Sequence, residues 1–175
     1  MPTPSVITGA VRLVTPDESG GALSYARLEL TTDYTVTVGA SDAIPWDRTV
    51  ADTDSYVGLD FAGRVIFTVP TTDVYIAEAE IGWFMARKAA APRKVVTAWL
   101  ANGITTLSLD VVTLEPSAIA NGYTEMLRLA TGPIPLTAGD VIGLAVSDQF
   151  DPDTVLAYDA PSSGGTHWTI RRIRS

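Results

Sequence analysis

The residues of this chain that could support catalysis are its one histidine and a few groups of acidic side chains. His167 follows serines and glycines in SSGGTHW, so a serine, this histidine and an aspartate can be drawn as a hydrolase triad. The chain lacks Gly-x-Ser-x-Gly, the strained turn that exposes the nucleophile in many hydrolases. A histidine at the start of an apolar strand is more often exposed or packed than catalytic, so we expect a protein that is not an enzyme.

Carboxylates cluster in ADTDSYVGLDF, which contains Asp52, Asp54 and Asp60. Such a group could bind calcium or act as the acid and base of a glycosidase. It lacks the Asp-x-Asp-x-Asp-Gly frame and the later glutamate of a calcium loop, which favours a solvated loop. No Gly-Lys-Ser or Gly-Lys-Thr follows the glycines at 164–165, so they do not form a phosphate-binding loop. The sequence therefore predicts no metal and no cofactor.

Composition narrows the classes of partner. The 175 residues suit one domain, and the net charge of −8 disfavours both nucleic acid and anionic membranes as ligands. No window reaches the apolar length of a membrane span, and we expect no export signal in the opening MPTPSVITGA. With 46% hydrophobic and only 18% charged residues, the chain has less charge than a monomer's surface normally needs. We therefore expect another copy to cover part of its surface.

Strand patterns dominate the chain. Alternating apolar residues between turn residues occur in YARLELTTDYTVTVG, GRVIFTVP, KVVTAWLANG, TTLSLDVVTLEP, TEMLRLATGPIPL, DVIGLAVSDQF and HWTIRRIR. One segment, residues 74–91, is rich in helix formers, and propensity alone leaves helix and strand equally open. Its two-residue alternation, together with Gly82, favours a strand. Seven or more strands with local turns predict an all-β antiparallel sandwich.

Several sequences occur in an informative order: IPWD at 44–47, FTVPTTDVYIAEAEIGW at 67–83, LANG at 100–103, LTAGDVIGLAVSD at 136–148 and an aromatic strand at 167–173. Together they resemble the jelly-roll domain shared by tumour necrosis factor and the globular heads of the first complement component. The Pro-Trp-Asp opening is most similar to forms in bacteriophage and bacterial structural proteins. The chain departs from that pattern at Asp73-Val74, where the family commonly has Asp-Gly, and in its arginine-rich last strand, TIRRIR.

The resemblance implies about ten antiparallel strands in two sheets, assembled as a threefold homotrimer. Residues 35–175 would form the jelly roll, and residues 1–34 an N-terminal arm and attachment segment. The residues expected at the trimer interface are Ile76, Glu78, Glu80, Phe84, Arg128 and Arg172. Those expected in the sandwich core are Trp46, Phe67, Tyr75, Ile81, Trp83, Trp99, Leu144 and Trp168.

Two placements among these leave alternatives open. Trp46 could be a sugar-binding platform or a plug over the open end of the sandwich, and the adjacent core strands favour the plug. Three copies of Glu78 and Glu80 near one axis would repel each other unless cations or arginines intervened. The candidate arginines are Arg128, Arg171, Arg172 and Arg174.

These features predict a structural virion protein of a tailed bacteriophage, either a capsid decoration or head fibre or a tail component. It would assemble in the host cytoplasm and contact other virion proteins through its arm. The alternative is a receptor- or carbohydrate-binding trimer at a fibre tip, which would contact a host-surface glycan through loops around 52–60, 86–94 and 148–165. A secreted ligand of the cytokine type and a hydrolase are less favoured.

Overall fold

A computed structural model describes residues 24–36, 41–85, 94–114, 123–148, 154–155 and 165–173 of the chain. These residues form strands and their connections, and none of them belongs to a helix that could cross a bilayer. The strands are β1 (Tyr25–Glu29), β2 (Tyr34–Thr35), β3 (Ser41–Ala43), β4 (Arg48–Asp52), β5 (Val57–Leu59), β6 (Val65–Thr68), β7 (Asp73–Met85), β8 (Lys94–Asn102), β9 (Thr105–Leu114), β10 (Tyr123–Ala130), β11 (Ile134–Leu136), β12 (Val141–Asp148), β13 (Thr154–Val155) and β14 (His167–Ile173).

The strands form two antiparallel sheets that pack face to face. The larger sheet has the order β2-β13-β7-β14-β1-β4, and β10 and β11 also pair with β7. The smaller sheet has the order β5-β6-β12-β8-β9, and β3 pairs with β12. This architecture confirms the predicted all-β antiparallel sandwich.

The long strand β7 occupies the segment whose composition left helix and strand equally open. Tyr75, Ala77 and Ile81 are fully buried, whereas Glu78 and Phe84 on the opposite face are exposed. The strand pairs with β10, β11, β13 and β14, so its backbone groups are hydrogen-bonded by neighbours from distant parts of the chain. Tertiary pairing therefore overrides the local helix propensity, as the two-residue alternation indicated.

The core between the sheets is built around aromatic rings. The ring centroid of Trp168 lies 4.0 Å from that of Phe67 and 5.9 Å from that of Trp46. Trp46 is only 8% exposed, which agrees with a plug and not with a surface platform. Seven of the eight residues expected in the core belong to the buried cluster: Trp46, Phe67, Tyr75, Ile81, Trp83, Leu144 and Trp168.

Trp99 is the exception, and its expected place in the core was wrong. Its neighbour Leu100 is fully buried, so the alternation of β8 turns Trp99 towards the outer surface, where the indole is partly exposed. Both faces of KVVTAWLANG carry apolar side chains, and the sequence therefore did not show which face was the inner one.

The boundary predicted at residue 34 was also wrong. Strand β1 lies inside the larger sheet, where it pairs with β14 on one side and β4 on the other. Ala26 and Leu28 are buried in the core, so β1 contributes to the sandwich as any other strand does. The jelly roll thus includes residues from β1 onwards, while residues 1–23 of the expected arm lie outside the described part of the chain.

Two connections between strands are fixed by single residues. Gly103 has a φ of 57° in the tight turn between β8 and β9, a left-handed conformation that glycine adopts without strain. Asp47, next to the buried Trp46, accepts hydrogen bonds from the backbone N–H of Thr31 at 2.7 Å and from its hydroxyl at 2.9 Å. This carboxylate therefore ties the connection before β4 to the segment that follows β1.

Candidate functional site

The exposed face of the larger sheet carries most of the residues that the sequence placed at a trimer interface. On β7, Glu78 and Phe84 are exposed and Ile76 and Glu80 are partly exposed. Arg128 of β10 projects from the same face because it lies directly opposite Glu80. We call this outer face of the larger sheet the assembly face.

A row of polar side chains crosses the assembly face over five strands. The directly opposed pairs are Arg128 with Glu80, Glu80 with His167, His167 with Glu29, and Glu29 with Arg48. Opposed residues of antiparallel strands project to the same side, so these five side chains are neighbours in the order given. We call them the charged row.

Both glutamates of the charged row have arginine partners within the same chain. Glu80 lies 3.3 Å from the Arg128 Nε, and Glu29 lies 3.5 Å from the Arg48 Nη1 and 3.0 Å from the Arg27 Nε. Glu29 is only 4% exposed, and a charged carboxylate at that depth needs hydrogen-bonded partners of opposite charge. Arginine pairing, one of the two alternatives for Glu80, is therefore present in the chain, and the row has no net charge while His167 is neutral.

His167 is held in its neutral form. Burial lowers its pKa below the ordinary value of 6.5, and the positive charge of Arg27 lowers it further. The carboxylates of Glu80 and Glu29 and a hydrogen bond to the backbone of Gly165 act in the opposite direction without cancelling the effect of burial. At neutral pH the imidazole therefore adds no charge to the charged row.

This depressed pKa predicts a contribution of His167 to the pH dependence of stability. Because the pKa is lower in the folded chain, the unfolded chain binds more protons as the pH falls below about 6.5. The free energy of unfolding should be retained above about pH 6.5 and should fall as the pH drops through the folded-state pKa. Urea unfolding of the wild type and His167→Gln along a pH series checks this, since the variant should lose that part of the dependence. Parallel pH profiles would contradict the assignment.

Arg172 was expected on the assembly face, and the structure places it elsewhere. It shares a face of β14 with the buried residues Trp168 and Ile170, so it projects towards the end of the sandwich. Its guanidinium lies 3.8 Å from the Asp73 carboxylate and donates a hydrogen bond to the Thr71 hydroxyl at 3.0 Å. The two adjacent arginines of TIRRIR necessarily point to opposite faces, and Arg171 is the one on the assembly face.

The aspartates that suggested a catalytic or calcium site each hold local structure. Asp52 accepts hydrogen bonds from two backbone N–H groups of the loop that follows it, and Asp54 accepts one from the Ser24 hydroxyl. Asp60 accepts backbone and side-chain hydrogen bonds from Arg64, which hold its pKa below the usual range. The described ranges contain no group of three or more acidic or histidine side chains placed to hold a metal ion.

A second surface feature lies on the outer face of the smaller sheet, opposite the assembly face. It is a groove of about 510 Å³. Its lining residues are Ser41, Ala43, Asp60, Phe61, Arg64, Val65, Ile66, Trp99, Ala101, Gly103, Val141, Gly143, Leu144 and Ala145. Trp99 and the fully exposed Phe61 contribute its aromatic rings. We call this feature the outer groove.

Sequence reasoning missed part of the charged row and the whole of the outer groove. Arg27, Glu29 and Arg48 were not assigned to a site, although the alternation of Arg27 and Glu29 with apolar residues did place them on one face of a strand. Trp46 was expected as a plug and is buried, whereas Trp99 was expected in the core and is partly exposed on the outer surface. Only the packing of the two sheets distinguishes the buried indole from the partly exposed one.

Comparison with known proteins identifies the fold. No protein-family model and no curated protein matches the chain. Among solved structures, it is similar to Eiger TNF from S. frugiperda, with a TM-score of 0.59 and 16% identity over 87% of this chain and 94% of that chain. It is also similar to murine APRIL, with a TM-score of 0.53 and 12% identity over 86% of this chain and 99% of that one. The sandwich is therefore a tumour necrosis factor-like jelly roll.

Proposed function

We propose that this chain is a non-enzymatic assembly protein that forms a homotrimer through the assembly face and attaches to a larger particle, the virion of a tailed phage, through its N-terminal segment. The observation that carries the proposal is the charged row, in which each glutamate has an arginine partner in its own chain. The row supports assembly because it compensates the charge of Glu80, one of the two glutamates expected to repel near a threefold axis, within each chain.

The electrostatic difficulty of such an assembly arises from like charges. Three copies of Glu78 and Glu80 around one axis would repel each other if their charges were not compensated. Within each chain Glu80 and Glu29 face the guanidinium groups of Arg128 and Arg48, and His167 between them is uncharged. Compensation of these two carboxylates lowers the repulsion that three copies of the face would experience.

Apolar area on the same face supports the proposal. Phe84 is 40% exposed and Ile76 is partly exposed, so both would lose further contact with water in an assembly. The overall composition, with 18% charged residues, also fits a surface that is partly covered. Threefold assembly is what the resemblance to the jelly-roll family implies. These features favour further copies of the same chain as its partners.

The proposed virion role is based on the resemblance to phage structural proteins. It can be tested by deleting the N-terminal segment, through which the chain would attach to the particle. Deleting residues 1–21 should leave the trimer intact and abolish incorporation into particles, because the deletion removes none of the described strands, the first of which starts at Tyr25. Light scattering measures the trimer, and mass spectrometry of purified particles measures incorporation against the full-length chain. Undiminished incorporation of the truncated chain would contradict attachment through this segment.

A further inference from the structure

We propose that the outer groove binds a neutral saccharide. The groove lies on the smaller sheet, on the side of the sandwich away from the assembly face, so the proposal goes beyond trimer formation and does not depend on it. Its volume of about 510 Å³ falls within the range of about 300–1,000 Å³ that is typical of small-ligand sites. The chemistry of the lining identifies the class of ligand.

Two aromatic side chains line the groove without being needed in the core. Phe61 is fully exposed at the turn between β5 and β6, and Trp99 is partly exposed on β8. Exposed aromatic rings offer flat apolar faces, on which the C–H face of a pyranose ring can stack. Single exposed rings are common on protein surfaces, but these two line the same groove, and an exposed apolar patch is the more informative observation.

Strand β12 leaves space in the groove beside these rings. A Cβ added at Gly143 would meet no atom within 4 Å, and its backbone conformation is one that other residues adopt readily. Ala145, on the same face, is opposite Trp99 in the adjacent strand. Glycine weakens a strand and often occurs where a ligand approaches the backbone closely. The fold would therefore accept a larger residue at this position, and the volume is open because the residue is glycine.

Polar groups in the groove distinguish a saccharide from other ligands. Arg64 and Asp60 are joined by an ion pair of 2.6 Å, so together they contribute no net charge. A neutral ligand complements this lining better than an anion or a cation does, in a chain whose overall charge is −8. Arg64 is 55% exposed and keeps N–H groups beyond those bonded to Asp60, and the Ser41 hydroxyl is a second hydrogen-bonding group.

The same polar groups disfavour a purely apolar ligand. Covering Arg64 and Ser41 with hydrocarbon would remove their water without supplying hydrogen-bond partners, which is unfavourable. A sugar ring presents apolar C–H faces and a polar rim of hydroxyl groups, so it can contact the aromatic rings and the polar groups together. The lining thus fits an amphipathic, uncharged ring.

The experiment uses the full-length protein and saturation-transfer NMR. The probes are neutral oligosaccharides containing glucose, galactose, mannose, rhamnose or N-acetylglucosamine, with 3′-sialyllactose as a charged comparison and the uncharged dye N-phenyl-1-naphthylamine as an apolar one. We expect at least one neutral sugar to bind with millimolar affinity, with its ring C–H protons receiving the strongest saturation.

Variants then locate the binding. Trp99→Ala and Phe61→Ala should each weaken binding about tenfold, because each removes one stacking surface. Gly143→Val should abolish it by filling the groove while retaining both aromatic rings. Val111→Ala, a change at an exposed apolar residue of the same sheet that does not line the groove, should leave affinity unchanged.

Three results would overturn the proposal. One is the absence of saturation transfer to every neutral sugar at millimolar concentration. Another is sugar binding that Gly143→Val leaves unaltered, and the third is binding of the apolar dye alone. Light scattering of the same variants should still report the wild-type mass, so a failure of saccharide binding is separable from a failure of trimer formation.

Discussion

Replacing Trp168 with alanine is expected to lower the free energy of unfolding by about 3–5 kcal/mol, the usual range for removing a large aromatic from a core. The indole is fully buried and contacts the ring of Phe67 on the smaller sheet and that of Trp46 in the connection between β3 and β4. Its loss would leave a cavity where the two sheets meet. Since domains are stable by only about 5–15 kcal/mol, this is a large part of the total.

The matched control is Trp99→Ala, which removes the same side chain from the outer face of the smaller sheet. We expect it to cost about 1 kcal/mol, because the indole is already partly exposed. Urea unfolding followed by circular dichroism, at equal protein concentration, measures both variants. Equal losses at the two positions would contradict the assignment of Trp99 to the outer surface.

Replacing Phe84 with glutamate is expected to convert the proposed trimer into monomers. Phe84 is 40% exposed on the assembly face, so the substitution should be tolerated within one chain. In a trimer it would add three carboxylates and remove apolar area at the interface, both of which oppose association. The mass measured by light scattering should fall from three times 18.5 kDa to that of a single chain.

Phe61→Glu provides the control for this change. It makes the same substitution at a fully exposed phenylalanine on the side of the sandwich away from the assembly face. We expect its mass to equal that of the wild-type trimer and its circular dichroism spectrum to be unaltered. If both variants remain trimeric, or if Phe61→Glu alone dissociates, the assembly face has been assigned to the wrong sheet.

The burial pattern of β7 shows how much can be predicted from a local repeat. Tyr75, Ala77 and Ile81 fell on the buried face because residues two apart in a strand share a face, whatever lies beyond them. The polar residues Glu78 and Glu80 fell on the other face for the same reason. Here one face was small or apolar throughout and the other carried two glutamates at its centre, which fixed the phase of the alternation.

The repeat was insufficient where both faces were similar. In β8 the neighbours Trp99 and Leu100 are both large and apolar, and only the packing of the smaller sheet against the larger one decided which of them met the core. In β14 the repeat was readable, but two adjacent arginines made the choice between Arg171 and Arg172 depend on the burial of Trp168. Which residue meets the core thus depends on contacts between parts of the chain that are distant in sequence, and the repeat within one strand does not contain that information.

The sequence by itself determined the fold class, the alternation of β7 and most of the core, because these depend on the side-chain repeat within single strands. Tertiary structure alone decided the charged row and the outer groove. Glu29, His167 and Glu80 lie on three strands that are distant along the chain, and they become neighbours only through the register of the larger sheet. The groove likewise needs Phe61, Trp99 and Gly143 to be brought together. These residues are distant in sequence, and they become neighbours only because the strands of the smaller sheet pair as the chain folds.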